Sequence, residues 1–214
     1  MGTLPPTAQG RATRDRIVEA AARLVADQGA SATSVDDVTA AADASKSQIY
    51  HYFGDKHGLV EAVIEHQAAM VLGFQARLLA SVRSWDELER WRDAMVQTVA
   101  QQRGRGGCPV GTLAAALSDT DEDLRGLLSD AFTTWRDAIG GALRSLRDNG
   151  LLAEDADLDA LTTIVLSAIQ GGLLLSKTSR DATPLRVALD GAITHLKSYA
   201  PEPPRRRAPS RARG

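Results

Sequence analysis

The chain has 214 residues, 43% of them apolar, and a formal charge of −2. That length can enclose one large core or two small ones, and the apolar share excludes an intrinsically disordered chain. The near-neutral charge supplies no general basic field, so any contact with nucleic acid must rest on local placement.

A single cysteine, Cys108, excludes an intrachain disulfide and a cysteine-built zinc site. The opening residues, MGTLPPTAQGR, hold no apolar signal core. The most apolar stretch, 158–176, is interrupted by Asp159, Gln170 and two glycines, and it reads as a buried helix rather than a membrane span. A soluble, cytoplasmic protein without a membrane partner is the expectation.

Residues 1–10 read as a flexible arm. In RDRIVEAAARLVADQG, Ile17, Ala20, Ala21, Leu24 and Gln28 share a helix face, and Gly29 supplies a stop. Ser34 and Asp37 stand at capping-box spacing ahead of a second helix that turns Val35, Val38 and Ala42 inward. DAS interrupts it. Ser45 then caps a third helix, with Gln48 as its reciprocal partner. Gly54 ends that helix, and Asp55 caps a fourth that runs through Leu59, Val63 and Met70 to about Leu79. Ser84 and Glu87 open a fifth, and the glycine-rich RGRGGCP breaks the chain. A short sixth helix starts near Val110. SDTDED caps a long seventh that stops at DNG. The eighth, in DADLDALTTIVLSAIQGGLLLSKT, is apolar nearly all round, as a helix in the middle of a bundle should be. Thr183 as N-cap and Pro184 at the first helical position start a ninth, whose Leu185, Ala188, Leu189, Ala192, Ile193 and Leu196 repeat at three and four. Residues 201–214, PEPPRRRAPSRARG, have no period and read as a disordered basic tail. Its arginines either stay solvated or add a salt-sensitive attraction to DNA. The predicted fold is all α with about nine helices. A three-helix head covers 11–59, and a larger helical domain for ligand binding and dimerisation covers 60–200.

Two short helices joined by a tight turn, the second of them polar, make a helix-turn-helix pattern. The second helix of such a pair presents side chains to base edges in the major groove. On a helix starting at Lys46, Ile49 and Phe53 share one face with Tyr52 beside it, while Lys46, Ser47, Tyr50 and His51 point the other way. A long cation and small hydroxyls can reach bases or phosphates, and phenols and an imidazole can donate to phosphate oxygens. Lys56 adds a charge in the first turn of the next helix, where backbone N–H groups already favour an anion. Thr33 and Ser34 offer the same at the start of the second. The plainer alternatives stand beside these: Ser45 and Gln48 as cap partners only, Tyr52 and Phe53 as core.

TRDRIVEAAARLVADQG and TSVDDVTAAADASKSQIYHYFGDKHGLVEAV resemble the amino-terminal signature of the TetR family of bacterial transcription regulators, from Thr13 to about Val63. The resemblance implies that Lys46, Ser47 and Gln48 read bases and that Tyr50, His51, Tyr52 and Lys56 contact mainly phosphates. It implies that Ser34 supports the backbone. Asp43 departs from the glycine usual in that turn. Aspartate tolerates a left-handed backbone better than most residues, at a cost of about 1 kcal/mol, and it brings a carboxylate near DNA. GGCPVGTLAAAL, AFTTWRDAIGGALRSLRDNG and AIQGGLLLSKTSRDATPLRVALDGAI resemble the carboxy-terminal domain of the LmrA/YxaF-like branch. That likeness implies a dimeric domain that binds small, often aromatic or multidrug-like molecules and loses DNA on binding.

In this domain Trp91, Met95, Phe132 and Trp135 are rare large side chains, either core or the lining of a pocket for a flat apolar ligand. Gln170 needs a partner if buried. It and Leu174, on the same helix, complete the candidate ligand contacts. The last two helices carry more apolar surface than one domain can cover, which predicts a homodimer through a four-helix interface. The expected partners are double-stranded operator DNA, a second copy and a small-molecule effector. No cofactor or metal is expected, since His57, His66 and His195 read as scattered surface or partly buried residues. The function predicted is a repressor released from a near-palindromic operator by its effector. One rival is redox control through Cys108, near Arg103 and Arg105, whose charges can lower a thiol pKa. The other is an all-α enzyme, for which no clustered catalytic set is found.

Overall fold

The structure is a computed structural model that describes residues 5–201. Among the described residues there are nine α-helices and no strand. From residue 202 onward the expected basic tail lies outside the described residues.

The head begins earlier than the arm expected over 1–10 allows. Thr7 caps α1 (Ala8–Gln28) by accepting from the Gly10 N–H, and the Arg11 guanidinium donates to the Pro5 and Pro6 carbonyls. Residues 8–10 are therefore helical. Helices α2 (Val35–Ala42) and α3 (Lys46–Phe53) each start with a reciprocal capping box, Ser34 with Asp37 and Ser45 with Gln48. Their inner faces meet α1 and the first turns of α4 (Lys56–Leu79), where Ile17, Ala21, Val38, Ile49, Phe53, Leu59 and Val63 are buried. The buried face of α1 is rotated from the expected one: Val18, Ala22 and Val25 turn inward and Gln28 is exposed.

Helix α4 has 24 residues, about 36 Å at 1.5 Å each, so one rigid element starts in the head and ends in the body. The body comprises α5 (Trp85–Gln101), α6 (Pro109–Leu117), α7 (Glu122–Asp148), α8 (Leu158–Ser179) and α9 (Thr183–Lys197). α7 packs on α4 and α8, and α8 packs along α9. By length and composition α8 could cross a membrane. Here Leu161, Val165, Ile169 and Leu173 face the bundle, while Ile164, Leu174 and Leu175 stay exposed on the other side. The α8–α9 crossing depends on Gly172, because a Cβ there would lie 2.8 Å from Leu185 Cα.

Thr183 is not the cap expected for α9. It is already helical, and its N–H and hydroxyl both donate to Asp181. The buried Ser176 hydroxyl instead accepts from the Leu185 N–H at 3.2 Å, so α8 satisfies an amide that α9 leaves free. Arg92–Asp190 (2.5 Å) and Lys197–Glu89 (2.6 Å) tie α5 to α9.

Candidate nucleic-acid interface and effector cavity

Three residues join α2 to α3. Asp43 takes φ 46° and ψ 55°, the left-handed conformation that the turn requires. Arg16 of α1 holds it there, donating from Nη1 to the carbonyls of Ala42 and Asp43. These are carbonyls that the end of α2 leaves without a helical donor, so a long-range arginine offsets part of the cost of replacing glycine.

With the turn fixed, α3 presents Lys46, Ser47, Tyr50 and His51 to solvent. Tyr50 is 51% exposed although it is a large ring, and the next helix adds exposed Lys56 in its first turn. Gln48 is half-buried, and its Oε1 accepts from the Ser45 N–H at 2.9 Å. Its cap role uses the carbonyl oxygen and leaves the amide nitrogen as a donor. Tyr52 is half-buried and packs edge-on with His51 and Phe53, so its ring belongs to the core. The Arg14 guanidinium lies 5.4 Å from the Phe53 ring centroid.

Two expected contacts are engaged elsewhere. Thr33 is buried, its hydroxyl donating to the Gly29 carbonyl at 2.9 Å, and this removes it from the exposed face. The Ser34 hydroxyl is exposed but held in the α2 cap, donating to Asp37 at 2.6 Å, which fits a supporting role. An unforeseen partner appears for Lys46: Asp36 of α2 sits 2.6 Å from its ammonium. That hydrogen bond and the carboxylate charge hold Lys46 above the ordinary lysine pKa.

The body encloses a cavity of about 610 Å³ between α4, α5, α7 and the loop before α6. Met95 and Trp135 line it, as expected. Trp91 does not; its indole N–H donates at 2.8 Å to buried Gln75, within the core. Phe132 packs against the core outside the lining. Gln170 lies behind the wall, its Oε1 close to Gly111. Leu174 is 62% exposed on the outer face of α8. Sequence reasoning missed Met70 and Phe74 of α4 and Cys108 as lining residues. Met70 follows the α4 stripe closely enough to read as core, yet it is largely exposed.

Cys108 caps α6 through Sγ, which accepts from the Gly111 N–H at 3.2 Å. Burial pushes its thiol up, which keeps the sulfur protonated and poorly reactive at neutral pH.

His57 is not isolated either. Its Nε2 lies 3.0 Å from Asp121, the N-cap of α7, and its Nδ1 lies 3.7 Å from Glu61. Burial alone would lower the imidazole, but Asp121, then Glu61 and Asp55, outweigh it and hold it above the usual histidine value. Asp123 brings a third ligand-capable atom within 4.8 Å. Both aspartates sit at a helix N-terminus, whose dipole disfavours a metal cation. The group works as an ion pair between the head end of α4 and the body.

A donor-lined short helix on a three-helix head, joined to a larger helical body, defines a helix-turn-helix DNA-binding protein. Residues 17–63 match the family model for bacterial regulatory proteins of the tetR family. Residues 85–190 match that for the C-terminal domain of LmrA/YxaF-like transcriptional regulators. An HTH-type transcriptional regulator from the lacX 3′ region of Lactococcus lactis is 33% identical over 185 residues, covering 84% of this chain and 91% of its own. A regulatory protein TetR from Rhodobacter sphaeroides has the same fold, with a TM-score of 0.77 at 24% identity over 86% of this chain and 98% of that one. A cysteine mutant of the TetR-family regulator CifR, complexed with 26-base-pair operator DNA, gives 0.75 at 20% identity over 85% and 95%. The chain belongs to the TetR family and is a DNA-binding regulator of transcription.

Proposed function

We propose that the protein works as a homodimeric, cytoplasmic repressor that leaves its operator when a small apolar or aromatic molecule enters the body cavity. One observation carries this reading: α4 begins beside the exposed face of α3 and continues as a wall of the cavity, through Met70 and Phe74. Any ligand that moves that wall tilts the head.

Ile164, Leu174 and Leu175 of α8 and Val187 of α9 are exposed apolar residues on the outer face of the α8–α9 pair. Gly171 and Gly191 face open space on the same two helices. Burying this face against a second copy removes it from water and sets two heads on one side of the dimer. Two heads entering successive major grooves require half-sites about 34–36 Å apart, or a multiple, and hence a near-palindromic operator. In each head Lys46, Ser47 and Gln48 read bases, while Tyr50, His51 and Lys56 hold phosphates and Ser34 positions the backbone. To turn a mostly bound population into a mostly free one, the ligand must favour the released state by about 5 kcal/mol. Control by oxidation of Cys108 is the weaker reading, since the thiol is buried and its pKa raised.

Footprinting on the DNA upstream of the protein's own gene, followed by release with apolar aromatic compounds, tests the proposal. The expected result is a protected near-palindrome lost on ligand addition. Stoichiometric ligand binding that leaves operator affinity unchanged would overturn it.

A further inference from the structure

We infer that the effector is an uncharged apolar molecule bearing a carbonyl-type acceptor, bound through the indole N–H of Trp135, and that the cavity rejects cations. This rests on the body cavity being the effector site.

The body buries two tryptophans almost completely, Trp91 at 2% exposure and Trp135 at 1%. An indole N–H is a donor only, and leaving it buried without an acceptor is costly. Trp91, away from the cavity, is satisfied by Gln75 at 2.8 Å. Trp135, in the cavity wall, is buried with no partner for Nε1. The fold thus satisfies the indole it uses for packing and leaves open the one beside the vacant volume. A second buried donor without a partner, Gln170 Nε2, lies behind Cys108 in the same wall. Among the described residues every such orphan is a donor, and none is an acceptor. What this region lacks is an acceptor atom.

The lining contains no aspartate, glutamate or histidine. Its one ionised side chain is Arg77, which is exposed. A cation entering among Val71, Met95 and Leu173 would lose its hydration without finding an anion. A carbonyl oxygen would relieve the Trp135 N–H while the rest of the molecule meets apolar surface. The Trp135 nitrogen is covered, so the acceptor reaches it when a wall side chain moves. Met70 and Met95, unbranched and flexible, give the wall that freedom. Met70 belongs to α4, so this movement begins on the helix that carries the head.

Calorimetric titration of the full chain with three probes of one skeleton tests this: 1-acetonaphthone, 1-ethylnaphthalene and protonated 1-(1-naphthyl)ethylamine. The ketone should bind at least about tenfold more tightly than the hydrocarbon, the equivalent of one relieved buried donor, and the ammonium most weakly. In W135F the order of ketone and hydrocarbon should reverse, because the ketone then has its oxygen desolvated with no donor. The infrared carbonyl stretch of the ketone bound to the unaltered chain should lie below its value in alkane, which decides the matter even if W135F misfolds. A hydrocarbon that binds as well as the ketone, an unshifted stretch, or preferred binding of the ammonium would overturn the inference while leaving the cavity reading intact. Failure of all three probes to bind would overturn the cavity reading itself.

Discussion

The reading head and the effector body are both helical, but their working surfaces are built by opposite means. The head's exposed donors are arranged locally. Caps three residues apart start α2 and α3, and Ile49 and Phe53 seat the opposite face of α3 in the core. The cavity is assembled from residues far apart in sequence, with Met70, Met95, Cys108 and Trp135 each on a different element. A surface built locally keeps its shape when its neighbours shift, as a reading surface must. A cavity built from four elements changes shape whenever one of them moves, and α4 conveys that change to the head.

The sharpest way to break the comparison is to unseat α3 without touching its exposed face. Ile49 is fully buried beneath the reading residues. I49A should destabilise the head by about 2–5 kcal/mol and abolish operator binding, while calorimetric binding of an apolar ligand to the body persists. Loss of ligand binding as well would show that the two regions fold as one unit. Next in size is the exposed face itself. K46A and K56A together should weaken operator binding and lower the slope of log affinity against log salt by about 2, one for each phosphate contact removed. Melting should be unaffected, because Lys46 is mainly exposed, its Asp36 partner is too, and such pairs contribute little to stability.

The contrast also explains what was legible in the sequence. Helix starts could be read wherever the signal lies within one turn, as at Ser34, Ser45 and Asp55. The left-handed turn at Asp43 could be read from its place between two helices. The contacts that make these features work could not. Arg16 reaches the turn from 27 positions away, Asp36 meets Lys46 across two helices, and Ser176 caps α9 from α8. Periodicity shows which face of a helix turns inward but not which helix it meets. Trp91 and Trp135 are therefore indistinguishable in sequence, although only one lines the cavity. Thr33 failed for the same reason, since a hydroxyl beside a helix start serves the backbone and a phosphate equally well.

A smaller effect tests how tightly the body is wedged. G172A places a methyl against Leu185 Cα, a backbone atom that cannot turn aside. The α8–α9 pair should open slightly, at about 1–3 kcal/mol, measured as a lower melting temperature. G171A, one residue earlier and facing open space in the single chain, should leave the melting of the monomer almost unchanged. If G171A instead shifts the dissociation of the dimer in sedimentation, it marks the face where the second copy docks.

The smallest effect concerns the one ion pair that joins the two regions, His57 with Asp121. Its imidazole is held above the ordinary value, so the folded protein binds this proton more tightly than the unfolded chain does. The stabilisation is then complete below the unfolded value of about 6.5 and fades as pH rises through the higher folded value. The pair is partly exposed, so solvent screens it, and the shift in melting should be only roughly a degree or two. H57A should therefore melt below the parent at pH 6, and the gap should close as the pH is raised past the folded value. A gap that stays constant with pH would mean that the imidazole acts through packing, leaving α4 itself as the connection between cavity and head.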